Sequence, residues 1–324
     1  MITIDDIEAA AHRIAGEAVR TPLLASAALD ARLGGRVLIK PETLQRTGSF
    51  KFRGAYNAVA ALPEAERAAG VVAVSSGNHA QGVAAAAALF GISATIIMPD
   101  DAPQAKLEGT RRLGATVVTY HRAGGADREA IAAEITAQTG GRLIHPYNEP
   151  LVIAGQGTIG LEVAEDLAAR DIAADAVLVP CGGGGLSSGV ALAMHHRMPQ
   201  AGVHLVEPQA FDDYGRSLAS GRIEHNAAAS GSVCDALQAA APGAIGFEIN
   251  RRLAAGALAV TDAEALAAVA FAFHTLKLVV EPGGAVALAA LLAGRFDAAG
   301  RTVVIVLSGG NVDAAMLARA LAAG

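Results

Sequence analysis

Short apolar runs alternate with longer alanine-rich stretches through most of the 324-residue chain. Each run ends near Gly, Pro, Ser or Asp, which is typical of buried strands bounded by turns, whereas the stretches between them have the length of helices. This alternation predicts an α/β fold with helices on both faces of parallel or mostly parallel sheets. Examples of the predicted strands are Val71–Val74, Thr95–Met98, Thr116–Tyr120, Ala176–Pro180, His204–Val206 and Thr302–Leu307.

The length of the chain predicts two lobes, because a single core rarely grows beyond about 250 to 300 residues. A turn at Pro63 and a break at His145-Pro146 enclose several strand–helix units. We therefore predict a small lobe of residues 69–141 and a large lobe of residues 1–68 and 142–324. In open parallel sheets, ligands bind beyond the carboxyl ends of the strands, so the loops there are where chemistry is expected.

Composition narrows the classes of function. Apolar residues make up 52% of the chain and charged residues 17%, which is enough for a large core. The formal net charge is −6 and no run of Lys and Arg is present, so neither nucleic acid nor an anionic surface is the expected partner. The acidic start and the lack of a long apolar run predict a cytoplasmic protein without a membrane span. Two cysteines, Cys181 and Cys234, are too few for a disulfide framework or a thiolate metal cluster.

The segment Thr47–Ala55 contains a lysine between two aromatic residues, Phe50 and Phe52. An apolar setting disfavours the ammonium form and lowers the pKa of Lys51 toward the neutral amine that attacks an aldehyde. The same residues also fit an exposed lysine at the start of an amphipathic helix. The segment alone does not decide between the two interpretations.

Four consecutive glycines, Gly182, Gly183, Gly184 and Gly185, follow the predicted strand Ala176–Pro180 and precede Leu186 and a helical stretch. Glycines at such a junction let main-chain N–H groups converge on an anion at the positive end of the helix. The loop therefore predicts a phosphate site.

Two further junctions carry polar groups. Ser75, Ser76, Asn78 and His79 follow the predicted strand Val71–Val74, at the start of a helix whose free N–H groups favour a carboxylate. Ser308 follows the last predicted strand and is followed by two glycines, a pattern that can meet a flat heteroaromatic ligand edge-on.

A glycine pattern in mid-chain is the main competing interpretation. Gly155 to Gly160 matches G-x-G-x-x-G, and Asp175 lies 20 positions after Gly155. However, the residues before it follow Pro150 too closely to form a central strand. A dinucleotide site is therefore disfavoured.

Together, T-G-S-F-K-F-R-G-A from Thr47, S-S-G-N-H from Ser75, the tetraglycine loop and S-G-G-N from Ser308 resemble the fold-type II family of pyridoxal-phosphate enzymes. The resemblance covers nearly the whole chain and is strongest to serine/threonine dehydratases and serine racemases. It implies a two-lobed, tryptophan synthase β-like fold and a homodimer. It also implies that Lys51 holds pyridoxal 5'-phosphate as a Schiff base. The other implied cofactor contacts are Phe50 beside the ring, Asn78 at the 3'-hydroxyl, the N–H groups of Gly182 to Leu186 at the phosphate and Ser308 at the pyridine nitrogen.

The activity that this resemblance implies is that of an L-threonine/L-serine ammonia-lyase, which converts a β-hydroxy amino acid into a 2-oxo acid and ammonia. Lys51 would be the base at Cα, and Ser75, Ser76, Asn78 and His79 would contact the substrate. Dehydration of 3-hydroxyaspartate and serine racemisation stay open as alternatives, as does a non-catalytic pyridoxal-phosphate-binding protein. Ser76 matches the second base of serine racemases, whereas Tyr147 departs from their sequence.

A divalent cation is also implied. Glu207 and Asp213 flank a predicted turn, and with the carbonyl of Phe211 they supply the hard oxygen ligands that Mg²⁺ or Ca²⁺ prefers. The set matches the activating cation site of serine racemases. Two acidic residues on a solvated loop are the alternative interpretation.

Overall fold

The fold is described from a computed structural model. It describes residues 2–75, 77–100, 102, 104–121 and 128–323. Ser76, one of the predicted catalytic residues, lies outside the described residues.

Two sheets organise the molecule. The strands, in chain order, are β1 (Leu24–Ala25), β2 (Arg36–Pro41), β3 (Val71–Val74), β4 (Ala94–Pro99), β5 (Thr116–Tyr120), β6 (Arg142–Leu143), β7 (Ala176–Pro180), β8 (Gly202–Pro208), β9 (Ala254–Val260) and β10 (Thr302–Leu307). The six-stranded sheet has the order β1-β2-β10-β7-β8-β9, and the four-stranded sheet has the order β5-β4-β3-β6. Every pair is parallel except β1 with β2.

Helices cover both sheets. They are α1 (Ile4–Ile14), α2 (Ala27–Leu33), α3 (Lys51–Ala60), α4 (Glu64–Arg67), α5 (Asn78–Leu89), α6 (Gln104–Arg112), α7 (Arg128–Thr139), α8 (Pro150–Ala168), α9 (Gly185–Arg197), α10 (Asp213–Ser220), α11 (Ala244–Leu253), α12 (Asp262–Phe271), α13 (Pro282–Leu292) and α14 (Ala314–Ala323). Alternate residues of β10 face opposite cores. Val303 and Ile305 pack with α12 and α13, whereas Val304 and Val306 pack with α8 and α9. A strand buried on both faces must be apolar throughout, as β10 is.

All six predicted strands are confirmed, and the fold class is the predicted one. Strands β1, β2, β6 and β9 were not among the strands named from the pattern. Strand β2 contains Lys40, which is fully buried because its ammonium group pairs with Glu162. Strand β9 consists mainly of Ala and Gly, residues that have no preference for strands.

The glycine pattern from Gly155 to Gly160 lies inside α8 rather than between a strand and a helix. A Cβ on Gly155 would lie 2.6 Å from the Cα of Gly54, and a Cβ on Gly160 would lie 2.8 Å from the Cβ of Ala193. These glycines let α3 and α9 pack closely against α8. The strand–turn–helix context that a dinucleotide site requires is not formed here.

The four-stranded sheet is built from residues 71–143, and its apolar core also includes Phe52 and Val59 of α3. The division of the chain into lobes of residues 69–141 and of residues 1–68 with 142–324 stays a prediction. Cys181 and Cys234 are both buried and free. No helix among the described residues is long and apolar enough to cross a membrane.

Candidate active site

One cavity of about 250 Å³ lies where the carboxyl ends of β3, β7 and β10 meet. The structure brings the four predicted segments together around it, although they are widely separated along the chain. The predicted residues that line it are Phe50, Lys51, Ser75, Asn78, His79, Gly182, Gly183, Gly184, Gly185, Leu186 and Ser308. Their individual roles stay predictions, but their convergence is a property of the fold.

The segment before Lys51 pairs with the loop that follows β10. The N–H of Phe50 donates to the carbonyl of Ser308 (3.0 Å), and the N–H of Gly310 donates to the carbonyl of Gly48 (2.8 Å). These bonds flank an antiparallel bridge between Ser49 and Gly309. The pairing fixes the start of α3, and therefore Lys51, beside the end of β10 in the six-stranded sheet.

A buried ion network anchors α3 from behind. The Arg53 guanidinium group is fully buried and donates to Glu42 (Nε to Oε2, 2.8 Å) and to Glu162 (Nη1 to Oε1, 2.7 Å). Lys40 also pairs with Glu162. Because these charges satisfy one another, the arginine two residues after Lys51 has one well-defined position.

Lys51 presents its amine to the cavity. Its Nζ donates to the carbonyl of Pro146 at 2.8 Å and lies 5.1 Å from the centre of the Phe50 ring. Burial lowers the pKa of Lys51 to about 8, an effect that the negative charge of Glu281 opposes. A substantial fraction of the amine is therefore neutral near physiological pH, as a nucleophile or base requires.

The tetraglycine loop joins β7 to the 13-residue helix α9 and is closely packed between two tyrosines. A Cβ on Gly183 would lie 2.4 Å from the Tyr147 ring, and one on Gly184 would lie 1.8 Å from the Tyr214 Oη. Gly184 has φ of 89°, which side chains rarely adopt. Only glycine fits this path, which leaves main-chain N–H groups at the positive end of α9 for an anion.

The turn between β3 and α5 is more constrained than its sequence indicates. The Ser75 hydroxyl accepts a hydrogen bond from the N–H of Gly77 at 3.2 Å. The His79 Nε2 bonds to the carbonyl of Ile144 at 2.8 Å, and burial lowers the pKa of His79 to about 3. The imidazole is therefore neutral and fixed. It offers no charge to a carboxylate. Main-chain N–H groups in the first turn of α5 and the polar side chains beside them are the groups here that can bind one by hydrogen bonds.

Glu281, to which the sequence pattern assigned no role, also lines the cavity and is only 5% exposed. Its Oε1 accepts a hydrogen bond from Asn78 Nδ2 at 2.6 Å. Burial raises the pKa of Glu281 to about 7, and the charge of Asp235 contributes to the increase. The only local sign in the sequence that Glu281 belongs to a functional site is its position before Pro282 and two glycines, at the start of a helix.

The predicted cation ligands lie between the end of β8, which contains Glu207, and the start of α10, where Asp213 is the first residue. Both carboxylate oxygens of Glu207 accept main-chain N–H groups, from Tyr214 (2.9 Å) and Gly215 (2.8 Å). Asn226 donates to Asp213 Oδ1 at 2.6 Å, whereas Asp213 Oδ2 is buried without a hydrogen-bond partner. In the described part of the chain, no group of three or more His, Cys, Asp or Glu side chains is placed to hold a metal ion.

Comparison with known proteins agrees with this geometry. The family model described as pyridoxal-phosphate dependent enzyme matches residues 14–309. The L-threonine ammonia-lyase of Thermotoga maritima is 44% identical over 98% of this chain and 78% of its own length. The L-threo-3-hydroxyaspartate ammonia-lyase of a Pseudomonas species is 46% identical over 95% of each chain. Maize serine racemase has the same fold, with a TM-score of 0.91, 36% identity and coverage of 99% of this chain and 97% of its own.

The matched region includes Lys51, the tetraglycine loop and Ser308, the residues that the structure gathers around the cavity. Fold, cavity and family therefore agree, and the chain belongs to the pyridoxal-phosphate-dependent enzymes, with the architecture of fold type II.

Proposed function

We propose that the protein is an ammonia-lyase that converts L-threonine, L-serine or a related β-hydroxy amino acid into a 2-oxo acid and ammonia. The observation that carries the proposal is the buried amine of Lys51, with its lowered pKa, in the same cavity as the glycine loop and Asn78. The relatives named as ammonia-lyases, which align over nearly the whole chain, support it.

The donors in the cavity fit pyridoxal phosphate. The glycine loop at the start of α9 offers N–H groups for the phosphate, Asn78 offers an N–H for the ring oxygen, and Phe50 lines the cavity beside Lys51. When bound, the cofactor supplies an electron-withdrawing ring that acidifies the Cα–H bond of an attached amino acid. Ser308, a neutral hydroxyl, would face the ring nitrogen.

Lys51 has two roles in this proposal. Its amine holds the cofactor in the resting protein and, once released, is the base that removes the Cα proton. Its lowered pKa suits both roles, because each requires the neutral amine. The N–H groups in the first turn of α5 would bind the substrate carboxylate, with Ser75 beside them.

The test uses the purified protein loaded with pyridoxal phosphate. Release of 2-oxo acid and ammonia is measured with L-serine, L-threonine, L-threo-3-hydroxyaspartate and phenylserine, and chiral inversion is measured in the same reactions. We expect elimination from at least one of them, and loss of both turnover and the visible cofactor band in Lys51→Ala. A protein that binds the cofactor but releases no 2-oxo acid from any member of the panel would contradict the proposal and favour a non-catalytic binding protein.

Serine racemisation is the second candidate, supported by the similarity to maize serine racemase. It requires a second base on the face of the substrate opposite Lys51, and sequence resemblance assigns this role to Ser76. Ser76→Ala should then abolish chiral inversion and leave elimination measurable. Equal inversion in the variant and the parent protein would remove Ser76 from this role.

We also propose that Glu207, Asp213 and the carbonyl of Phe211 hold Mg²⁺ or Ca²⁺. The fit rests on Asp213 Oδ2, a buried oxygen that has no hydrogen-bond donor among the described residues. A bound cation would stabilise the folded protein by mass action, so a chelator should lower the thermal midpoint and Mg²⁺ should restore it. A midpoint that is indifferent to both would refute the site. The homodimer and the cytoplasmic location stay predictions, and size-exclusion chromatography tests the first.

A further inference from the structure

The side-chain amide of Asn78 is held by two partners from distant parts of the chain. Its Nδ2 donates to Glu281 Oε1 at 2.6 Å, and its Oδ1 accepts from Asn311 Nδ2 at 2.7 Å. Glu281 precedes α13, and Asn311 lies in the loop after β10. Both bonds therefore tie the start of α5 to the six-stranded sheet.

The orientation of this amide is determined by its neighbours. Asn311 Nδ2 also donates to the main-chain carbonyl of Thr47 at 2.8 Å, and a carbonyl can only accept. The NH₂ group of Asn311 must therefore face Thr47 and Asn78, so Asn78 must present its oxygen to Asn311. Its own NH₂ group is then directed to Glu281, whose oxygen accepts the bond.

One N–H of the Asn78 amide remains. The NH₂ group has two hydrogens, and Glu281 takes one of them. Since Asn78 lines the cavity, the other N–H is available to a ligand there and can only donate. A ligand atom in front of it must be an acceptor, as the ring oxygen of pyridoxal phosphate is.

The position of Glu281 is itself fixed. Its N–H donates to the carbonyl of Gly309 at 3.0 Å, and a Cβ on Gly309 would lie 2.2 Å from Glu281 Oε1. The carboxyl group thus lies directly against the loop that contains Ser308. It does not cap its own helix, because no side-chain capping bond is formed at Glu281.

We propose that Glu281 is a positioning residue for the cofactor: it holds the Asn78 amide with its NH₂ group toward the ring oxygen. The inference rests on cofactor binding, which membership of the family supports, and on no particular substrate. Glu281 acts through Asn78 in this proposal and takes no part in bond breaking.

The position of Glu281 should allow its protonation to be followed in the visible spectrum of the bound cofactor. Three charged groups face it from different elements: Lys51 of α3, Lys106 of α6 and Asp235 in the loop before α11. Burial has the largest effect and raises the pKa of Glu281, and the charge of Asp235 raises it further. The two lysines lower it, because they favour the ionised carboxylate. Because the carboxyl group is bonded to the amide that faces the ring, its ionisation should alter the visible band of the bound cofactor around pH 7.

The experiment compares three variants with the parent protein in two measurements. Equilibrium binding of pyridoxal phosphate is measured with the cofactor-free protein at pH 6, and the visible spectrum of the cofactor-loaded protein is measured as a function of pH. Glu281→Gln keeps an acceptor oxygen for Asn78, so its affinity should stay within about twofold of the parent protein while the spectral change near pH 7 disappears. Glu281→Leu removes the acceptor and should weaken binding by about tenfold, the effect of one good hydrogen bond. Asp235→Asn, the matched control, should keep the affinity and move the spectral midpoint to lower pH.

The proposal is overturned if Glu281→Leu binds the cofactor as tightly as the parent protein, or if Glu281→Gln binds as weakly as Glu281→Leu. It is also overturned if the spectral change near pH 7 persists in Glu281→Gln or does not move in Asp235→Asn, and these two variants decide the question even if Glu281→Leu does not fold. Failure of the proposed function is a separate result. It is absence of lyase activity in the parent protein, whereas this experiment measures cofactor binding and the cofactor spectrum, neither of which requires turnover.

Discussion

Replacement of Gly184 by alanine tests the close packing of the tetraglycine loop. Gly184 has φ of 89°, and alanine in left-handed backbone costs about 1–2 kcal/mol. The new Cβ would also lie 1.8 Å from the Oη of Tyr214, a fully buried side chain that cannot move into solvent. Overpacking of this kind costs a further amount of about 1–3 kcal/mol. We therefore expect Gly184→Ala to lower the free energy of unfolding by about 2–5 kcal/mol.

Gly221→Ala is the matched control. Gly221 ends α10 with φ of 76°, and apart from Gly221 itself and its chain neighbours no described atom lies within 4 Å of the position of its Cβ. It should therefore show only the backbone cost of about 1–2 kcal/mol. The difference between the two variants isolates the contact with Tyr214.

Urea unfolding measures both changes, and titration with pyridoxal phosphate measures whether the loop still binds an anion. Gly184→Ala should bind the cofactor much more weakly, whereas Gly221→Ala should bind it within about twofold of the parent protein, because Gly184 lines the cavity and Gly221 is not among the described residues that line it. Equal destabilisation by the two substitutions would refute the rigid packing of the loop on Tyr214. Unchanged cofactor affinity in Gly184→Ala would refute the loop as the phosphate site.

Two further predictions follow from buried charges. Because the neutral amine of Lys51 attacks the aldehyde and its pKa is about 8, the rate constant for cofactor capture by the cofactor-free protein should rise about tenfold per pH unit below pH 8 and level off above it. Stopped-flow absorbance measures this, and a rise that continues to pH 10 would indicate an ordinary lysine. Arg53→Leu leaves the carboxylates of Glu42 and Glu162 without their guanidinium partner and should cost about 3–5 kcal/mol in urea unfolding at pH 7. Arg53 helps to hold the pKa of Glu42 below its usual value of 4.5, so the stabilisation is present above that value and is lost as the pH falls. The penalty should therefore shrink in acid, and a penalty that is independent of pH would contradict this explanation.

Most of the fold could be predicted from the chain because strands buried on both faces are apolar runs of distinctive length. β10 and β7 are such runs, and both were predicted with their observed bounds. β2 was missed because its buried Lys40 is compensated by Glu162, which is 122 positions away in the chain. Local pattern contains no information about a partner at that distance.

The sequence by itself determined which chemical groups stand where along the chain: a lysine between two phenylalanines, a glycine loop before a helix, and a hydroxyl at the end of a strand. These features are set by the order of residues within short segments, which does not depend on how the segments pack. The tertiary structure alone decided how the segments act on one another. Asn78 meets Glu281 across 203 positions and Asn311 across 233, because the fold brings the carboxyl end of β3 in one sheet to the carboxyl ends of β7 and β10 in the other, around one cavity. Hydrogen-bond direction and carboxyl ionisation depend on those neighbours and on burial, which no periodicity in the chain encodes.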